Sequence, residues 1–236
     1  MKQILDIKKK KDKYIITFTD EVVEVFEEVI IEFILLKKRD LELDEYNKLI
    51  KYKNYIDALH LAISYLKKPR TIKETRIYLK DNKCYDEKII KKLLDMGLLN
   101  DKLYMEMYVD YQARINLKGP KLIKKELELK GIDMDFEYPN YDENINKLIN
   151  RFIKNNKDKP TKMLNYSLNN YLITKGYDKT SEYFYNDDEE LIQADIDKLL
   201  IKNKKLEGTK LRMKLYSSLI NKGYDSSLIN EYLDKL

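Results

Sequence analysis

Tryptophan is absent from this 236-residue chain, and cysteine and histidine occur once each, as Cys84 and His60. A lone cysteine excludes an intramolecular disulfide and a cysteine-based zinc site. A lone imidazole with no Ser, Cys or ligand set nearby makes neither a triad nor a metal centre, so His60 reads as an ordinary residue of its helix. The six glycines never cluster, which rules out a glycine-rich phosphate loop. The longest apolar stretches, Val29–Ile31 and Phe33–Leu36, are split by Glu32 and are far too short to span a bilayer. No basic-plus-apolar secretion signal opens the chain, so a cytoplasmic protein without a membrane partner is expected. The acidic run Asp187-Asp188-Glu189-Glu190 points around a helix rather than to one spot, and reads as an N-terminal charge complement rather than a metal site. No catalytic residue, cofactor or metal is expected, and the chain reads as a non-enzyme.

What is present is periodic. Glycine and proline punctuate one pattern four times, at a period of about 40 to 48 residues, which is the mark of a stacked repeat array. The clear copies run Leu127-x-x-x-Gly131-Ile132-Asp133, Leu172-x-x-x-Gly176-Tyr177-Asp178 and Leu219-x-x-x-Gly223-Tyr224-Asp225. A degraded first copy reads Leu79-x-x-x-Lys83-Cys84-Tyr85-Asp86, with Cys84 as a small core residue in the place of Ile or Tyr. The spacing is that of a helix ended by a left-handed residue, with a hydrophobic clasp between the Leu and the residue after the glycine. The Asp that follows suits the N-cap of a next helix. Pro69, Pro120 and Pro160, and Gly208-Thr209 in the fourth copy, mark where that helix begins.

Each unit therefore reads as three helices. The first helices lie near 54–67, 101–116, 141–155 and 188–204, and the second near 71–82, 119–130, 161–175 and 209–222. The third lie near 86–96, 133–138, 178–186 and 225–235, with Pro139 cutting the second of these short. The expected fold is mainly α: tandem three-helix repeats in a curved, elongated array, after an N-terminal segment containing a β-hairpin. The division is 1–50 for that extension, then repeats at 51–98, 99–138, 139–186 and 187–236.

In the extension, Ile4–Ile7 and Tyr14–Phe18 alternate apolar and polar residues around a Lys/Asp turn, which predicts a hairpin. Val22–Val25 could add a third strand, 26–36 is read as helix, and Asp44 caps a helix carrying Tyr46, Leu49 and Ile50. So small a hairpin needs the first repeat to pack on.

The net charge of +5 is too small for an indiscriminate nucleic-acid binder, but the charge is segregated. Lys67, Lys68, Arg70, Lys73 and Arg76 gather at the second helix of the first copy, and Lys118, Lys121, Lys124 and Lys125 at that of the second. These nine are the candidates for contact with a partner or DNA, against the blander reading of lysines solvating outer helix faces. The 20 tyrosines could stack on unpaired bases, yet many, such as Tyr177 and Tyr224, sit where the clasp needs a hydrophobe.

The order and spacing of several motifs resemble the RecX family of regulatory proteins. Ala58-Leu59-x-x-Ala62-x-x-Tyr65-Leu66, Pro69-Arg70-Thr71-x-x-Glu74-x-x-x-x-Leu79 and Ile89-Ile90-x-x-Leu93-x-x-x-Gly97-Leu98-Leu99-Asn100-Asp101-x-x-Tyr104 carry the resemblance. Gly119-Pro120-x-x-Ile123-x-x-Glu126-Leu127-x-x-Lys130-Gly131-Ile132 continues it. The match is strongest over 54–133 and extends more weakly through 141–236. It implies a modulator of the RecA recombinase that binds along the RecA–single-stranded-DNA filament and damps strand exchange, ATP hydrolysis and coprotease action. It implies no cofactor, and the chain is expected to act as a monomer. Glu74, Asp101, Gly119, Glu126, Leu127, Gly131, Gly176 and Gly223 are expected to be structural, with Asp101 a cap. Arg70, Lys73, Arg76, Lys121, Lys124 and Lys125 are expected on a concave, filament-facing surface. Lys83 departs from the glycine usual there, and Asn100 from an acid. The rival readings are a direct single- or double-stranded DNA binder and a generic helical scaffold for another protein.

Overall fold

The computed structural model describes residues 1–236. Four strands, β1 (Lys2–Lys10), β2 (Lys13–Phe18), β3 (Val22–Phe26) and β4 (Asp40–Leu41), form one antiparallel sheet in the order β3-β2-β1-β4. Eleven α-helices carry the rest: α1 (Glu27–Glu32), α2 (Leu43–Tyr65), α3 (Ile72–Asp81), α4 (Glu87–Asp95), α5 (Asp101–Arg114), α6 (Pro120–Leu129), α7 (Tyr141–Lys154), α8 (Thr161–Thr174), α9 (Asp188–Lys202), α10 (Gly208–Lys222) and α11 (Ser226–Leu233). None is long and apolar enough to cross a membrane. The fold is mainly α: helical repeats follow a small N-terminal sheet, and the first and last of them have three helices each.

The chain divides into two compact units, one of residues 1–106 with 127–134 and one of 107–126 with 135–236. In the first, alternation along the strands puts Ile16, Phe18, Val23 and Val25 on one face of the sheet. That face is covered by Val29, Ile30, Leu49 and Ile56 from α1 and α2. A second cluster joins Leu59 and Ala62 of α2 to Leu79 of α3 and Ile89, Ile90 and Leu93 of α4. In the other unit, Leu148 and Ile149 pack with Leu168, Leu172 and Tyr177, and Ile192 and Ile196 with Leu215, Leu219, Tyr224 and Ile229.

The hairpin and the third strand form where the pattern places them, while the helix read over 26–36 ends at Glu32, before a left-handed Ile34 (φ +51°) and a 3-10 turn over Leu35–Lys37. The glycine turns form where they are expected: Gly131, Gly176 and Gly223 have φ of +85°, +88° and +102°. The clasp bond runs from the N–H after each glycine to the expected Leu carbonyl, Ile132 to Leu127 and Tyr177 to Leu172 at 2.9 Å, and Tyr224 to Leu219 at 3.2 Å.

Three further local expectations change. The helix near Asp44 and the first repeat helix are one continuous α2, because no glycine or proline interrupts Leu43–Tyr65; residue 50 lies inside it. The third helices near 133–138 and 178–186 do not form. In the second case, side chains of α8 take the backbone bonds that a helix would use. Asn169 Oδ1 accepts from Thr180 N–H at 2.9 Å, and Asn165 both accepts from Phe184 N–H (3.0 Å) and donates to its carbonyl (2.7 Å). Thr161 Oγ1 accepts from Asn186 N–H at 3.1 Å. The segment is thereby held extended along α8. Asp133 and Asp178 consequently cap no helix.

Candidate partner-binding surface

The basic candidates cluster at the starts of second helices, so the anatomy of those starts decides which cations are free. At α3, Thr71 forms a capping box with Glu74 and sends its hydroxyl to the Lys130 carbonyl at 2.9 Å. Lys73 Nζ donates to the Leu129 carbonyl at 2.9 Å, and Lys130 Nζ to Glu74 Oε1 at 2.7 Å. Burial acts to raise the Glu74 carboxyl, but Lys130 and the Thr71 N–H outweigh it and hold it below its usual value. The start of α3 is thus closed by the Gly131 turn of the next repeat. A Cβ on Gly131 would come within 2.8 Å of the Lys73 side chain.

The same junction recurs. The Gly119 N–H donates to the Lys175 carbonyl at 2.6 Å and the Lys121 N–H to the Gly176 carbonyl at 3.1 Å, while Lys121 Nζ pairs with Asp178. Here the carbonyl end of α8 meets the N–H end of α6, an arrangement both helix dipoles favour. A Cβ on Gly119 would strike the Gly176 backbone, and one on Gly176 would strike Leu122. At α8, a Cβ on Gly223 would lie 3.1 Å from that of Met163. The turn glycines therefore serve twice, by their positive φ and by the close approach they allow.

Several residues singled out as contacts or caps have partners within the fold. Lys73 and Lys121 belong to junctions. Lys118 pairs with Glu126 at 2.6 Å, only a quarter of either side chain being exposed, and Glu126 also accepts from Tyr108 OH at 2.7 Å. Arg76 pairs with Glu87 at 2.5 Å, and Lys124 lies 3.8 Å from Asp135. Arg70 stacks its guanidinium 4.7 Å from the Tyr65 ring centroid, and Tyr65 in turn stacks on Tyr78. Lys67, Lys68 and Lys125 are exposed and take no acidic partner. Lys67, Lys68, Arg70, Lys73 and Arg76 belong to one compact unit, and Lys118, Lys121, Lys124 and Lys125 to the other. Asp101 does cap a helix, though not its own: its Oδ1 accepts from Ile72 N–H at the start of α3 (2.9 Å), and Asn100 caps α5 through Leu103 N–H. Asp188 repeats the device on Thr161 N–H at 2.8 Å. His60 stacks on Phe26 with centroids 3.7 Å apart and meets Glu28 at 2.8 Å, a structural role.

Leu127 is buried under its turn, and only the first repeat lacks the glycine. Lys83 stands there at φ +57°, a conformation that costs a residue with a Cβ about 1–2 kcal/mol. No earlier repeat presses on that turn. It borders instead an open groove walled by the end of α1, the middle of α2 and the start of α4. No sequence pattern announces this groove, since its walls come from segments far apart in the chain.

Helical repeats joined by glycine turns, with exposed cations beside them, define a tandem helical-repeat protein. Residues 100–135 match the second three-helix domain of RecX and residues 187–233 the third. The regulatory protein RecX of Listeria welshimeri is 32% identical over 214 residues, covering 80% of this chain and 79% of that one. The RecX of Listeria monocytogenes serotype 4b is 33% identical over 215 residues with the same coverage. A crystal structure of regulatory protein RecX shares the fold over the whole of both chains, with a TM-score of 0.50 at 22% identity. The chain belongs to the RecX family of regulatory proteins.

Proposed function

We propose that this protein regulates, mainly by inhibition, a RecA recombinase: it binds along the RecA–single-stranded-DNA filament and damps strand exchange, ATP hydrolysis and coprotease action. The observation that carries the reading is the kinship over four-fifths of the chain with proteins named for regulation. It acts in the cytoplasm, as a monomer, through contacts rather than chemistry. The exposed, unpaired Lys67, Lys68 and Lys125 are its first contacts with the filament, and Arg70, held on Tyr65, supports them. Repeats of this kind suit the role because each presents one segment of an extended binding surface.

The test is the DNA-dependent ATPase of the cognate RecA on single-stranded DNA, titrated with the protein. Inhibition well below one molecule per RecA protomer is expected. No effect at saturation, with filaments present, would remove the reading and return the chain to the class of helical scaffolds with another partner.

A further inference from the structure

The groove beside Lys83 has a volume of about 1010 Å³, at the upper end of the range typical of ligand sites. It lies wholly within the first compact unit. Phe33 and Tyr52, with ring centroids 5.9 Å apart, and Tyr55, 6.2 Å from Tyr52, form an aromatic wall. All three rings are only half-buried, and the two hydroxyls bond to nothing within the chain. Burial pushes both phenols above their usual range, so they remain protonated donors.

Charge at the mouth is unbalanced. Lys51, Lys83 and Lys88 line the groove, are exposed and pair with no acid. Of the acids there, Asp86 is occupied capping the Lys88 N–H at 2.9 Å, and Asp57 Oδ2 is held by Lys53 at 2.5 Å. Only Glu32 is uncommitted. Lys83 is also the one turn residue of the series that keeps a side chain at positive φ, a strain relieved elsewhere by glycine.

We propose that this groove is a nucleotide site: the aromatic wall stacks a base, and Lys51, Lys83 and Lys88 meet its phosphate. Stacking rings beside free cations suit an anionic aromatic ligand. The same chemistry arrives on an unpaired strand or as a free nucleotide. The site is separate from the second-helix lysines and does not rest on the filament reading.

The experiment needs no recombinase. Binding of a fluorescent oligodeoxycytidylate to the full chain is measured by anisotropy across a salt series, with dCMP as competitor. Displacement by dCMP assigns the site to the nucleotide itself; binding of the strand alone assigns it to a strand segment. The triple variant K51Q/K83Q/K88Q should lose at least about tenfold in affinity and about 2 from the log–log salt slope. Lys83→Gly guards against misfolding, because it relieves strain: it should melt higher and yet bind several-fold more weakly. The proposal is overturned if neither probe binds at millimolar concentration, if Lys83→Gly and the triple variant bind like the parent, or if an alternating Glu/Phe peptide binds where the oligonucleotide does not.

Discussion

Replacing Gly176 by Ala tests the junction between repeats with a single methyl group. Gly176 is buried at φ +88°, and its added Cβ would strike Leu122 at the start of α6 and lie 3.0 Å from the Gly119 carbonyl. Three costs combine. A non-glycine residue at positive φ costs about 1 kcal/mol. Overpacking a closed contact costs about 1–3 kcal/mol. Separating the two segments loosens the hydrogen bonds from Gly119 and Lys121, worth about 1 kcal/mol each at most. The expected loss is about 2–6 kcal/mol, a large share of the about 5–15 kcal/mol that holds a domain together. For a chain of this size, that is a fall in Tm of about 4–24 °C. The control is Gly208→Ala in the same unit, at φ +53° with open space around its Cβ, which should cost only the about 1 kcal/mol of conformation. Urea unfolding of both variants isolates the steric part by difference. Equal losses, to within about 0.5 kcal/mol, would show that the turn glycine serves conformation alone and would refute the close-approach argument.

Other consequences follow from single contacts. Asn165→Ala leaves the Phe184 N–H and carbonyl without their partner, so it should cost about 2–3 kcal/mol and open 178–187 to limited proteolysis; an unchanged cleavage pattern would mean that something else holds the segment. The Glu74 carboxyl titrates below its unfolded value, so its contribution to stability is complete above the unfolded pKa and disappears as pH falls through the folded one. Glu74→Gln should therefore be less stable than the parent near neutrality and converge with it in acid, as followed by urea midpoints at each pH. Lys67→Glu with Lys68→Glu should weaken inhibition of the RecA ATPase at an unchanged Tm, whereas Lys118→Ala should lower Tm by breaking the pair with Glu126. A drop in inhibition only for the latter would place the contact elsewhere.

Local chemistry made much of this molecule readable. Helix ends are written within five residues, so Leu127, Gly131 and Ile132 announce their turn, as do the copies at Gly176 and Gly223. Strand alternation between Ile4 and Phe18 announces the hairpin in the same way, because a period of two needs no distant information. The repeat period itself follows from counting those signals, and with it the array of helices. Tertiary structure alone decided what each signal is used for. Whether Thr180–Asn186 coils into a third helix depends on Asn165 and Asn169, whose amides take the backbone bonds first. Whether a lysine is free depends on an acid or carbonyl brought from elsewhere, from eight residues away for Lys118 and from more than fifty for Lys73 and Lys121. Asp101 looks like the cap of its own helix and caps α3 instead, across 29 residues of chain. Lys83 looks like a worn copy of a glycine until the groove beside it explains the room for a side chain. Backbone preferences act between near neighbours and are fixed by sequence, whereas ion pairs, close approaches and cavities exist only once distant segments meet.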